Sequence, residues 1–175
     1  DINVQKAIVV DQNIDDFENN RNCVYGGYAG TFTQVVDNPG TNGFNSSAKV
    51  GKYIRNVSEA WDYLIMNNVN IGHAGEFAQG KKRFFMDVYT DAPVGTPIFL
   101  GLENSAVAVP EYTYGKHSNY QAITTVRNQW ETIEFTLTGV PDNYAGAYKV
   151  NKAVVMFDMG NFSGNTYYFD NFRSG

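Results

Sequence analysis

Trp61 and Tyr63 stand two residues apart on either side of Asp62, a short way after Arg55. Residues two apart in an extended chain share a face, so the two rings would be presented together. If the stretches carrying Arg55 and Trp61 are adjacent antiparallel strands, the guanidinium joins the rings on that face. The negative π-face of an aromatic ring attracts the C–H face of a sugar, and a planar guanidinium makes paired hydrogen bonds. Tyr25 and Tyr28 flank a glycine-rich turn and could form a rim for the same ligand. Tyr112, Tyr114 and His117 could do so from one long aromatic loop, and Glu103 and Gln121 could add polar contacts from strands. Each has a plainer reading as well. Trp61 and Tyr63 can be core residues and the loop aromatics packed anchors. Trp130, at the start of a strand, reads as a cap on the core, and Phe84, Met86 and Val88 read as core.

A second chemistry lies in the stretch DNPGTNGFNSSAKVGKYIRN, residues 37–56. Its Pro, Gly and Asn residues favour turns and left-handed backbone, so its first half is an irregular loop. Such a loop, feeding a strand, can turn several carbonyl oxygens inward and suits a hard cation such as calcium. An ordinary long hairpin connection is the alternative, although long loops without structure of their own are uncommon.

Catalytic patterns fare worse. His73 and His117 are far apart and form no HxH or HExxH motif, no GxSxG elbow occurs, and the glycines after Tyr25 do not fit GxGxxG. Glu131 and Glu134 are three apart, so on a strand they face opposite sides and make a poor acid–base pair. A lyase built on His117, Tyr120 and Arg127 is the residual enzymatic reading.

The elements that would position these residues are strands. Period-two patterns mark residues 31–36, 50–55, 60–66, 82–90, 98–103, 120–126, 130–137, 150–156 and 166–172, with turns between them and no helical period. Residues 67–80 and 104–119 read as loops, and residues 1–12 as an edge strand or linker remnant before a module of residues 13–175. These features predict an all-β, single-domain sandwich of jelly-roll type with two antiparallel sheets. The 175 residues suit one domain, and 12 Tyr, 12 Phe, 2 Trp and 17 Gly at low charge suggest an extracellular β-protein. A net charge of −5 with no basic cluster argues against nucleic acid, and no apolar run is long enough to span a membrane as a helix. Cys23 is the only cysteine and cannot form an internal disulfide. The chain begins at Asp1 without a signal peptide, which reads as a mature fragment or a module excised from something larger. The sequons at Asn45, Asn56 and Asn161 carry little weight.

Four pieces in order resemble a known family: Asp16-Phe17-Glu18, the loop NPGTNGFNSSAKVGKYIR, Asn128-Gln129-Trp130-Glu131, and Tyr167-Tyr168-Phe169-Asp170-Asn171-Phe172. The chain is similar to the jelly-roll, galactose-binding-like carbohydrate-binding modules of secreted bacterial polysaccharide-degrading enzymes of Bacteroidetes type. That resemblance implies a non-catalytic, monomeric, secreted module that holds an attached catalytic domain on a polysaccharide. A β-glucan such as laminarin is the first expectation, with agar, carrageenan, alginate or mannan open. The resemblance also implies a structural calcium held by Asp16, Glu18, Ser46, Lys49 through its carbonyl, and Asp170. Two rivals stay in view: a lyase or hydrolase domain, and a structural or adhesion sandwich with Trp61 in its core.

Overall fold

The computed structural model describes residues 8–105, 116–141 and 149–175. The strands are β1 (Gln12–Asp15), β2 (Val24–Tyr28), β3 (Thr31–Asp37), β4 (Lys49–Ile54), β5 (Leu64–Ile71), β6 (Phe84–Thr90), β7 (Pro97–Glu103), β8 (Lys116–Ile123), β9 (Trp130–Gly139), β10 (Val150–Phe157) and β11 (Thr166–Ser174). One short helix, α1 (Ala74–Ala78), follows β5. Every ladder is antiparallel. The first sheet runs β3-β4-β11-β6-β9, with β1 beside the end of β11, and the second runs β2-β5-β10-β7-β8-β9. Strand β9 belongs to both. Its first half pairs with β6 and its second half with β8, so it passes from one layer of the sandwich to the other.

Alternation explains the layers. On β6, Phe84, Met86 and Val88 are buried in the core. They meet Leu64 and Met66 of β5, Leu100 and Leu102 of β7, and Ala153, Val155 and Phe157 of β10 in one apolar cluster. Trp130 is also buried, as the cap reading expects; its indole N–H donates to Asn38 Oδ1 at 2.9 Å and to the Gly40 carbonyl at 2.5 Å. The loop after β3 is thus fastened to the start of β9, and Asn42 returns a bond to the Trp130 carbonyl at 2.9 Å.

Two expectations about the middle of the chain are corrected. The strand read at residues 60–66 begins at Leu64 and runs on to Ile71, and the loop read at residues 67–80 contains the end of that strand and α1. Leu64 and Met66 point inward, and then Val69 and Ile71 do. That odd step needs an extra residue, and Asn68 supplies it with a left-handed φ of 58° where the pairing with β10 shifts register. The bulge breaks the alternation that would have marked the strand. Helix α1 is about one turn long, too short to leave a helical period in the sequence, and is held by Phe77, which stacks on Phe84 at 4.3 Å. Similarly, the loop read at residues 104–119 gives way to β8 at Lys116.

Gly51 of β4 shows how closely the first sheet is covered. Phe17, in a left-handed turn after β1, lies over it and meets Phe169 edge-on at 5.1 Å. A Cβ on Gly51 would come within 2.3 Å of the Phe17 ring. Gly51→Ala is therefore expected to displace that ring and cost about 1–3 kcal/mol, a fall of roughly 2–10 °C in Tm read by thermal denaturation.

Candidate functional site

The outer face of the second sheet carries a depression of about 630 Å3. It is lined by Phe99, Gly101 and Glu103 of β7, Val154 and Met156 of β10, and Asn119 of β8, with Trp61 and Met159 from two loops. The strand residues are there by period two and register: Met156 faces Phe99, Val154 faces Gly101, and Gly101 faces Asn119. Gly101 keeps the floor low. The Phe99 ring lies over it, 3.0 Å from where a Cβ would stand. Glu103 Oε2 is paired with Lys152 Nζ at 2.9 Å across β7 and β10. The wall combines one indole, one phenyl ring, two polarisable thioethers and a few polar groups, and its volume lies in the range of small-molecule and oligosaccharide clefts.

Two buried groups set the rim. Asp62 is buried and accepts bonds from the N–H groups of Ala29 (3.2 Å), Gly30 (3.1 Å) and Asn56 (2.9 Å) and from the Tyr53 hydroxyl. With Asp62 turned in, its neighbours turn out: Trp61 is 58% and Tyr63 40% exposed. The Tyr63 ring edge lies beside Gly27 of β2, 3.6 Å from where a Cβ would stand there. Arg55 does the second job. It was expected on the binding face, but it is buried, and its guanidinium donates to the carbonyls of Asn161 (2.8 Å), Ser163 (3.3 Å), Glu59 (3.3 Å) and Ala60 (3.0 Å). It ties the loop carrying Trp61 to the loop carrying Met159, as does the Gly160 N–H bond to the Ala60 carbonyl at 2.8 Å. Trp61 itself precedes β5 rather than standing mid-strand.

The other anticipated contacts are scattered. Gln121 lies on β8 opposite Phe99, two residues from Asn119 on the same face. Tyr28 is exposed and packs edge-on against Phe32 at 5.9 Å. Tyr25 turns inward, at 4.7 Å from Phe32 and 5.8 Å from Phe17, and so serves packing rather than a rim. His117 is fully buried, with Nδ1 and the Ser118 hydroxyl 2.7 Å apart. Tyr112 and Tyr114 lie outside the described residues. The residual lyase set is not assembled: Tyr120 is in the core with His117, while Arg127 donates to the Asp91 carbonyl at 2.7 Å. Glu131 is buried and accepts from the Thr125 N–H at 2.9 Å, whereas Glu134 pairs with Arg83 on the surface.

The implied calcium ligands meet a mixed environment. Asp16 Oδ1 accepts the N–H groups of Glu18 (3.0 Å), Asn19 (2.8 Å) and Asn20 (2.7 Å), which commits it to its own turn. Glu18 Oε1 accepts those of Ala48 (2.9 Å) and Lys49 (3.0 Å), Ser46 is exposed, and Lys49 pairs with Asp37. Asp170 is buried. Its Oδ2 accepts from Asn45 at 2.7 Å, but its Oδ1 makes no hydrogen bond of good geometry. Burial, with Asp87 alongside, pushes the Asp170 carboxyl up to about 6, and bonding from Ser47 and Asn45 offsets only part of this. Among the described residues no three acidic, His or Cys side chains converge on one point. The arrangement supplies one buried anchor oxygen rather than a finished cage.

No protein-family sequence model matches the chain, and no curated protein sequence does either. Solved structures do match. One is an exo-β-agarase, with TM-score 0.61 and 12% identity over 93% of this chain, which spans 24% of that chain. Another is a family 11 carbohydrate-binding module from Clostridium thermocellum in complex with a β-1,3-1,4-mixed-linked tetrasaccharide, with TM-score 0.57, 14% identity and coverage of 96% of both chains. A family 30 carbohydrate-binding module of a cellulosomal cellulase of the same organism matches with TM-score 0.54 and 13% identity, over 88% of this chain and 91% of that one. The chain has the all-β sandwich fold of carbohydrate-binding modules.

Proposed function

We propose that this chain is a non-catalytic carbohydrate-binding module of jelly-roll type that keeps an attached enzyme on a polysaccharide outside the cell. The observation that carries this reading is the depression on the second sheet, where Trp61, Phe99, Met156 and Met159 meet Glu103 and Asn119. Apolar rings and thioethers receive sugar faces, and the polar groups orient hydroxyls. A β-glucan such as laminarin is the first ligand to try, in keeping with the β-1,3-1,4-mixed-linked tetrasaccharide held by the family 11 module. The exo-β-agarase neighbour makes an agar-type chain the second. The burial of His117 and Tyr120 away from Arg127, and the separation of Glu131 from Glu134, support a binding role over a catalytic one. Affinity electrophoresis against laminarin, mixed-linked glucan, agarose, mannan, alginate and carrageenan tests the proposal. Retardation by one glycan class is expected; retardation by none would sink it.

The calcium is a separate proposal, supported by the unpartnered buried oxygen of Asp170. Without an ion, the folded state holds the Asp170 proton more tightly than the unfolded chain does. Stability would then rise as pH falls from about 7 towards 4. A bound ion favours the ionised carboxyl and reverses that slope, with stability lost towards pH 4. Melting with and without EDTA decides the matter: a lower Tm after chelation, restored by calcium and lost in Asp170→Asn, is expected. An unchanged Tm with no metal by elemental analysis would remove the ion from the account.

A further inference from the structure

We propose that Phe162 is an outlying sugar platform of the groove: a glycan chain that fills the depression continues over the loop after β10 and lays a further sugar on the Phe162 ring. This rests on the glycan-binding reading above and extends it to how far along a chain the module reads. The depression runs along the strands, because Phe99, Gly101 and Glu103 alternate on β7 and span about 13 Å. One end lies where β10 finishes and β5 begins, and Trp61 and Met159 stand there. Phe162 follows Met159 by three residues in the same loop and is 72% exposed. Val57 and Trp61, on the loop before β5, are exposed as well.

Exposed apolar side chains are common one at a time and need no special account. These sit on two loops bound to each other. The Arg55 guanidinium donates to the carbonyls on both sides of Phe162, those of Asn161 and Ser163, and to those of Glu59 and Ala60 just before Trp61. Val57 packs against Gly164, its Cγ1 2.5 Å from where a Cβ would stand. Asp158 closes the turn a second time: its carboxylate accepts from the Asn161 amide at 2.8 Å and from the Ser163 hydroxyl at 2.6 Å. Both neighbours of Phe162 are thus held by backbone and by side chain, while its own ring faces water. A ring placed in that way adds little to the fold. It can meet a sugar face without a loss of loop freedom.

Calorimetric titration with oligosaccharides of graded length, cut from each polysaccharide of the panel above, tests this. For the parent, affinity for the accepted glycan should rise with length until the chain reaches Phe162 and then level off. Phe162→Ala should bind the short oligosaccharides as the parent does and the long ones roughly tenfold more weakly, the scale of covering one phenyl face. Phe162→Tyr, which keeps the ring, should restore the gain from length. Both variants should melt within about 2 °C of the parent, because the ring is largely exposed. Equal affinities of the parent and Phe162→Ala at every length would overturn the proposal. So would a loss that is the same for short and long chains, which would place the ring inside the groove or make it a brace for the loop. A parent that binds no oligosaccharide of any kind is a different failure, because it removes the glycan reading on which the proposal stands.

Discussion

Arg55→Met should lower stability by roughly 3 kcal/mol, a fall of about 6–12 °C in Tm. The substitution keeps an apolar stem of similar length but removes a guanidinium that serves four carbonyls from two loops. Arg55 is 2% exposed, so no bulk water stands ready to replace those bonds. The carbonyls are part-buried, and although that of Ala60 keeps the Gly160 N–H bond, each one left without a donor costs on the order of 1 kcal/mol. Arg55→Lys should recover part of the loss, because an ammonium reaches some of the carbonyls but lacks the planar fork. The loss also has a functional face. The freed loops carry Trp61 and Met159, so glycan affinity should fall in Arg55→Met even below its melting temperature. A variant with parental Tm and affinity would show that the two loops hold themselves in place.

Trp61→Ala should weaken polysaccharide binding by roughly 30-fold or more, the scale of a central aromatic anchor. Tm should stay within about 2 °C of the parent, because the indole is 58% exposed and little buried area is lost. The pairing of a large affinity effect with a small stability effect is what separates a ligand platform from a core residue. If Trp61→Ala unfolds the protein without a selective loss of binding, the indole is structural and the sandwich serves contacts with neighbouring domains.

These two residues mark the boundary of what the sequence makes legible. The β-class follows from alternation, and where alternation is clean, as in Phe84, Met86 and Val88, the core face follows too. Strand β5 runs later than its alternation predicts, because the bulge at Asn68 shifts the phase and three asparagines give its second half the composition of a loop. Arg55 carries an ambiguous signal, because an arginine near aromatics fits a sugar site as well as a buried brace. Its burial depends on carbonyls of Asn161 and Ser163, more than a hundred residues away, which no local pattern announces. His117 misled for a related reason: its neighbours on β8 are polar, yet the strand turns it into the core.

The groove itself was only half visible. Trp61 and Glu103 stand out by residue type. Phe99, Gly101, Val154, Met156 and Met159 do not, because both faces of β7 and β10 are largely apolar and period two alone cannot say which face meets solvent. The signal available was Gly101 within a strand, where a missing side chain often marks close approach by another group. Asn119 could not be recognised until β7 and β8 were in register.

Methionine placement offers the most direct test of the central claim, that a glycan occupies the outer face of the second sheet. The chain has 4 Met, of which Met66 and Met86 are fully buried in the core while Met156 and Met159 line the groove. Methyl NMR of the methionine-labelled protein during titration with laminarin, or with whichever glycan retards it, reads all of them at once. The account predicts that the Met156 and Met159 methyl signals shift in proportion to occupancy while those of Met66 and Met86 stay in place. Saturable binding that leaves the Met156 and Met159 signals unmoved would put the ligand elsewhere on the sandwich and contradict it.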